Sequence, residues 1–253
     1  MTAEAQPQPP APPRVVPVRT ERQDDVTVVT LDRPPVNAIG RALARELAAL
    51  LDVIEHDESV CAVVLTGSGA SFSAGLDVKE LPQQMAGDGP AVMAELVNRL
   101  LLALYGLRCP VVAAVNGHAV AGGLVLALAT DERLCTSDAC QLGLAEGRVG
   151  VGYPVAAMEV CRAELGPAAA RRLILRGQDV TPEEALALGI VDGLHPPDHL
   201  LDAAVVRARE LAAQPAANYA RVKRHLREAP LRAMEEALRD GDPRRHSWLE
   251  SLV

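Results

Sequence analysis

Residues 110 to 124 read Pro110-Val111-Val112-Ala113-Ala114-Val115-Asn116-Gly117-His118-Ala119-Val120-Ala121-Gly122-Gly123-Leu124. The run up to Val115 has strand character throughout, being β-branched and small apolar residues without a break. Asn116 and Gly117 interrupt it. Small residues then carry the chain to Ala121-Gly122-Gly123, where an apolar, helix-like run begins and continues to Thr130. A strand that stops in small residues and turns into a helix leaves the first N–H groups of that helix without partners, pointing into a cleft. Donors of this kind suit a developing negative charge and can form an oxyanion hole.

A second stretch repeats the pattern. Cys61-Ala62-Val63-Val64-Leu65-Thr66 reads as a buried strand and runs into Gly67-Ser68-Gly69-Ala70-Ser71-Phe72-Ser73-Ala74-Gly75-Leu76-Asp77. Each transition can supply one N–H donor. Taken singly, either is also ordinary punctuation after a parallel strand.

Further out, Val26 to Leu31 reads as a β-branched strand, and Leu43, Leu47, Leu50 and Ile54 mark one face of a helix. Strands at 61–66, 111–115 and 131–136 are separated by helical segments near 90–104 and 122–129. The alternation implies an α/β layer with mostly parallel pairing. From about residue 155 the pattern turns helical. Thr181-Pro182-Glu183-Glu184 is a capping box with Pro in the first turn, and Gly189 stops that helix. Ile190-Val191-Asp192 reads as a short strand, and Leu201, Val205, Ala208 and Leu211 form another helical stripe. Helical apolar spacing recurs from Leu231 to Leu249, with Trp248 placed to pack against the body or a neighbouring subunit. Residues 1–20, rich in Pro, Ala and Gln, read as a flexible or polyproline-like leader, so that the fold begins at Val26.

A chain of 253 residues fits one large domain, or a domain with a small appendage, and should bury roughly 70 to 75% of its unfolded surface. The net charge of -8 disfavours a nucleic-acid partner, because the phosphate backbone rewards Lys and Arg. The five cysteines, Cys61, Cys109, Cys135, Cys140 and Cys161, are scattered and lack C-x-x-C spacing. They read as small core residues of a reducing compartment, and no metal is expected. No apolar run reaches membrane-spanning length, and the start lacks a basic-then-apolar signal pattern. A cytoplasmic protein without a membrane partner is the expectation.

Together the two loops resemble the hallmark segments of the crotonase (enoyl-CoA hydratase/isomerase) superfamily: Phe72-Ser73-Ala74-Gly75-Leu76-Asp77, and Pro110 to Gly117 continuing through Ala121-Gly122-Gly123. Other matching segments lie in order around them: Arg33-Pro34-Pro35-Val36-Asn37-Ala38, Leu142-Gly143-Leu144-Ala145-Glu146, then Gly177-Gln178 with Ala185 to Val191. The resemblance covers about residues 26 to 228. It implies an α/β spiral of ββα units (ClpP-like) with a C-terminal helical region, so residues 1–20 are expected as leader, 21–195 as spiral core and 196–253 as a helical oligomerisation region. It also implies an acyl-CoA thioester substrate, no cofactor beyond the coenzyme A carried by that substrate, and a homotrimer or dimer of trimers.

The same resemblance places the backbone oxyanion donors on Leu76 and Gly122, and the catalytic carboxylate on Glu146. It sets Ala38, Ser73, Ala74, Gly75, Asp77, Gly123 and His118 around the substrate, with His118 either a base or a partner of backbone groups. The apolar neighbourhood of Glu146 should raise its pKa toward working pH. Hydratases of this family carry a first catalytic Glu in the helix after the Gly-Gly step, a position occupied here by Val125. Hydration divides its work between two carboxylates, whereas moving a double bond from C3 to C2 needs one, over a dienolate. The resemblance is therefore strongest to the monofunctional Δ3,Δ2-enoyl-CoA isomerases. Enoyl-CoA hydration, acyl-CoA decarboxylation or hydrolysis, and a non-catalytic scaffold are the alternatives. Ser68, Ser71 and Ser73 read as turn residues, Tyr153-Pro154 as a pocket wall or plain structure, and Met85 to Gly89 as a lid loop.

Overall fold

The computed structural model describes residues 17–77, 79–80, 89–244 and 248. The expected lid segment, residues 85–88, lies outside the described residues, and Gly89 opens a helix. The strands are β1 (Val18–Gln23), β2 (Val26–Leu31), β3 (Ala62–Gly67), β4 (Ser71–Ser73), β5 (Val111–Val115), β6 (His118–Val120), β7 (Glu132–Thr136), β8 (Leu142–Gly143) and β9 (Gly193–His195). The helices are α1 (Arg41–His56), α2 (Gly89–Tyr105), α3 (Gly122–Leu128), α4 (Val155–Glu164), α5 (Pro167–Ala170), α6 (Pro182–Ala187), α7 (Pro197–Ala212), α8 (Ala216–Leu226) and α9 (Glu228–Asp240).

A six-stranded sheet runs β1-β2-β3-β5-β7-β9, and a three-stranded sheet runs β4-β6-β8. Among the described strands, β1 pairs antiparallel with β2 and the other strand-to-strand pairings are parallel, while Leu142 of β8 adds a single antiparallel bridge to Val180. The connectivity is a repeated ββα unit: β3-β4-α2, β5-β6-α3 and β7-β8-α4 each place one strand in the large sheet, one in the small sheet, and then a helix. This is the α/β spiral that the motifs imply.

The large sheet is covered on both faces, which is why its strands are apolar runs rather than alternations. Val63, Leu65, Val111, Ala113 and Val115 turn into the main core with α1 and α2. Their neighbours Ala62, Val64, Val112 and Ala114 turn to the opposite face, where Leu200, Ala204, Val205 and Ala208 of α7 cover them. Each fully buried Val or Leu contributes about 1.5 to 3 kcal/mol.

Four expectations move. The fold begins at Val18, not Val26, because the polar residues of β1 face solvent at the sheet edge and hide its pairing with β2. The strand expected at 190–192 starts at Gly193. The N–H groups of Ile190 and Val191 are spent on the Ala185 carbonyl at the end of α6, and the Asp192 carboxylate takes the Arg133 N–H. The buried stripe of α7 is Leu200, Ala204, Val205 and Ala208, leaving Leu201 exposed. The last helix stops at Asp240, where Gly241 adopts φ +87°. The capping box at Thr181 forms in full, with the Glu184 N–H donating to Oγ1 at 3.3 Å and the Thr181 N–H donating to the Glu184 carboxylate at 3.1 Å.

Candidate active site

Parallel strands end together, and loops at their carboxyl edge are where α/β folds gather ligands. The small sheet applies this rule in miniature. Leu76 lies just beyond the end of β4, Gly122 just beyond β6 and Glu146 just beyond β8. Because the order is β4-β6-β8, the three are delivered side by side.

The Leu76 N–H is free for structural reasons. Ile39 bridges Leu76 in parallel, its N–H donating to the Gly75 carbonyl at 2.7 Å while the Asp77 N–H donates to the Ile39 carbonyl at 3.1 Å. In a parallel bridge the bonded groups belong to the flanking residues, so the N–H of Leu76 itself turns the other way. Gly122 opens α3, ahead of the first bonds that Leu124 and Val125 donate to the Ala121 carbonyl at 2.9 and 3.2 Å. Among the described residues, neither N–H has an acceptor. The two backbones are close: a Cβ on Gly75 would lie 2.8 Å from the Gly122 nitrogen. Gly75 also has φ +79°, so glycine is required there twice over. Ala121, between the loop and α3, sits at φ +52° and ψ −130°, a conformation that costs about 1 to 3 kcal/mol and is characteristic of functional turns.

Side chains brace this backbone. Asn37, itself at φ +51°, donates to the carbonyls of Ser68 and Ser71 at 2.9 and 2.8 Å. Asn116 accepts from the Gly67 N–H at 3.0 Å and donates to the Gly69 carbonyl at 2.9 Å. The Ser73 hydroxyl donates to the Asn37 carbonyl at 2.8 Å. A Cβ on Gly123 would come within 2.0 Å of the Ser73 carbonyl.

The cavity beside these donors has a volume of about 250 Å³, and Ala74, Leu76, Gly122, Val125, Glu146 and Tyr153 are among its lining residues. Val97, Leu100, Leu101, Leu126, Ala157 and Trp248 are among the residues of its apolar walls. Among the described residues, Glu146 is its only carboxylate. Glu146 is 8% exposed. Burial holds its carboxyl above the ordinary carboxylate range, opposed by a backbone hydrogen bond and by the Tyr153 hydroxyl. That hydroxyl donates to Oε2 at 3.0 Å. Arg148 anchors the same turn by donating to both oxygens of Asp179, at 2.9 and 3.1 Å. Trp248 closes one wall, its indole N–H donating to the Pro90 carbonyl at 3.2 Å and its carbonyl accepting from Gly152.

Of the residues expected around the substrate, Ala74 lines the cavity together with Leu76, Gly122 and Glu146. Ser73, Gly75 and Gly123 hold the two loops against each other. Ala38 offers its carbonyl to Arg33 at 2.9 Å, and Asp77 pairs with the same guanidinium. His118 is exposed and apart from the cavity lining, with Nδ1 accepting the Gln141 N–H at 3.2 Å. Sequence reasoning left the role of Tyr153 open; its contact with Glu146 depends on the path of a loop that no periodicity encodes. Among the described residues no helix is long and apolar enough to cross a membrane, and no His, Cys, Asp and Glu side chains gather in a metal-binding group.

Two main-chain donors and one buried carboxylate around an apolar cavity form a site with the means to meet an anionic oxygen and to hold a proton. The enzyme belongs to the enoyl-CoA hydratase/isomerase family, whose model matches residues 21–248. It is 35% identical over 184 residues to the probable enoyl-CoA hydratase EchA17 of Mycobacterium tuberculosis, spanning 73% of this chain and 70% of the relative. It is also 35% identical over 166 residues to a probable enoyl-CoA hydratase of Bacillus subtilis, spanning 66% of this chain and 64%, just under two thirds, of the relative. The crystal structure of the probable enoyl-CoA hydratase EchA3 of M. tuberculosis matches with a TM-score of 0.81 at 30% identity, over 88% of this chain and 93% of that one. A second, apo structure of the same mycobacterial protein, there described as an enoyl-CoA isomerase, matches with a TM-score of 0.79 at 30% identity, over 88% and 96%.

Proposed function

We propose that this enzyme isomerises a 3-enoyl-CoA thioester to the 2-enoyl-CoA. The observation that carries the reading is the pairing of Glu146 with Val125: among the described residues the cavity holds one carboxylate, and the position where a second is expected for hydration presents an apolar side chain. In the proposed step the Glu146 carboxylate takes a proton from C2, and the C–H electron pair moves toward the thioester oxygen. The dienolate oxygen is met by the Leu76 and Gly122 N–H groups. The proton is then returned at C4, the carbonyl re-forms, and the double bond is left between C2 and C3. No other reactant is consumed. Loss of one such oxyanion donor typically costs about 10² to 10³ in rate.

A second reading, hydration, is favoured by the names of the relatives. Side-by-side assay of a 3-enoyl-CoA and crotonyl-CoA separates the two. Isomerisation much faster than hydration is expected, and crotonyl-CoA hydration at about 10 per second or more overturns the reading. We extend the proposal to assembly as a trimer, supported by the exposed Val222 and Leu226 on α8. A monomeric mass by light scattering at micromolar concentration refutes it.

A further inference from the structure

Tyr153 is 9% exposed, sits just before α4, and directs its hydroxyl at the proton-carrying group rather than at backbone. A buried phenol needs an acceptor, and this one has taken Oε2 of Glu146, leaving Oε1 without any described side-chain partner. We infer that Tyr153 is a positioning residue: by holding Oε2 it fixes the carboxylate plane, sustains its negative charge among apolar walls, and leaves Oε1 as the single atom that collects and returns the proton. The inference rests on the reading of Glu146 as the proton carrier.

Besides the backbone hydrogen bond that also favours the ionised carboxylate, the described side chains around Glu146 leave this task to Tyr153. From α2 and α3, Gly122 and the apolar side chains of Val97, Leu100, Leu101, Val125 and Leu126 line the cavity. From α4, Cys161 is the titratable neighbour, and burial together with Glu146 pushes its ionisation up, so it stays a neutral thiol. Arg148 is engaged by Asp179. The Arg244 guanidinium reaches the Tyr153 carbonyl at 3.4 Å, while the salt bridges of the described residues include none to Glu146. Burial, and then the negative charge of Glu146, raise the Tyr153 phenol far above its ordinary range. It therefore remains a neutral donor throughout the working range and does not become a second base.

Two consequences are specific to positioning. A hydrogen bond to the ionised form favours that form, so removing it should raise the titration midpoint of Glu146. A single-oxygen shuttle should also carry a deuterium from C2 to C4 of the same molecule rather than exchanging it with solvent.

The test is a 13C-carboxyl NMR titration of the Glu-labelled protein, with the Glu146 resonance assigned by its loss in Glu146→Gln. In Tyr153→Phe the midpoint should rise by about one pH unit or more. With 3-fluorotyrosine at position 153, a stronger donor that keeps the ring in place, it should fall. Midpoints that coincide across the three proteins overturn the inference, whether or not the Phe variant is less stable. With a 3-enoyl-CoA, the acid limb of kcat should move up with the NMR midpoint while KM stays within about twofold, and C2-to-C4 label transfer should drop. A uniform loss of kcat with an unmoved limb marks a merely structural role and also overturns it. If the wild-type protein turns over no 3-enoyl-CoA, the isomerase reading fails by itself, and the NMR titration still decides the role of Tyr153.

Discussion

Two carboxylates, the part-buried Asp131 and the buried Glu146, live in opposite circumstances. Asp131, before β7, accepts from the Val111 N–H at 2.7 Å and from Lys223 Nζ at 2.8 Å, and pairs with Arg227 Nη1 at 2.9 Å. Arg227 in turn stacks 3.9 Å from the Tyr105 ring centre and donates to the Tyr105 and Thr130 carbonyls at 2.9 and 3.0 Å. The Tyr105 hydroxyl donates to Glu164, which also lies near Arg133. Every charge in this network has a counter-charge, and the network binds the end of α8 to the large sheet. Glu146 has one side-chain donor, a neutral one. The contrast lies in how many fixed donors meet each carboxylate: a backbone N–H and two cations hold Asp131, while one neutral side chain meets Glu146.

The largest break in this comparison is at Asp131. Asp131→Ala takes the counter-charge from buried Lys223 and leaves Arg227 only Glu164, 3.7 Å away, and should cost about 3 to 5 kcal/mol in urea unfolding, while the molecules that remain folded keep their specific activity. At Glu146 the outcome should invert: Glu146→Gln keeps the fold but lowers turnover by about 10² or more. A normal rate in that variant removes Glu146 from the chemistry.

Val125→Glu sharpens the comparison by adding a second carboxylate to the apolar side. Hydration should rise relative to isomerisation in a two-substrate assay, at a stability cost of about 1 to 3 kcal/mol for the new buried polar group. The smallest effect is one of linkage. Because the folded carboxyl of Glu146 sits above its unfolded range, the folded state binds its proton more tightly. Glu146 thus favours folding below the unfolded carboxylate pKa, and that contribution is lost as pH rises through the folded value. Urea unfolding of wild type against Glu146→Gln should show the wild type losing ground between mildly acidic and neutral pH. A pH-independent difference rules out the raised pKa.

The strands that carry the site were legible because both faces of the large sheet are covered: Ala62 to Leu65 and Val111 to Val115 could be apolar throughout, and small residues marked where each ended. Glu146 was legible through the order of the motifs, and the capping box through its fixed spacing. The edge strand β1 was not, since a strand with one unpaired edge and a wet face carries no hydrophobic pattern. The Asp131 network was invisible for another reason. Its partners Lys223, on α8, and Arg227, just past the end of α8, lie some 90 residues away and look, in sequence, like any solvated basic face. The role of Tyr153, pocket wall or plain structure, stayed open because nothing in the spacing of seven residues to Glu146 says that the loop turns the phenol back.

The three groups that the proposed reaction uses sit at the same corner of three successive copies of one ββα unit, yet in that reaction the copies divide their labour. The first two units contribute peptide N–H groups, whose chemistry is indifferent to the side chains that bear them, and only the third contributes a side chain. A lineage built on this plan can therefore keep its oxyanion apparatus while its reaction is rewritten at very few codons, chiefly those for Glu146 and for the helix face opposite it at Val125. The constant part of the catalyst is written in backbone geometry, and the variable part in a handful of letters.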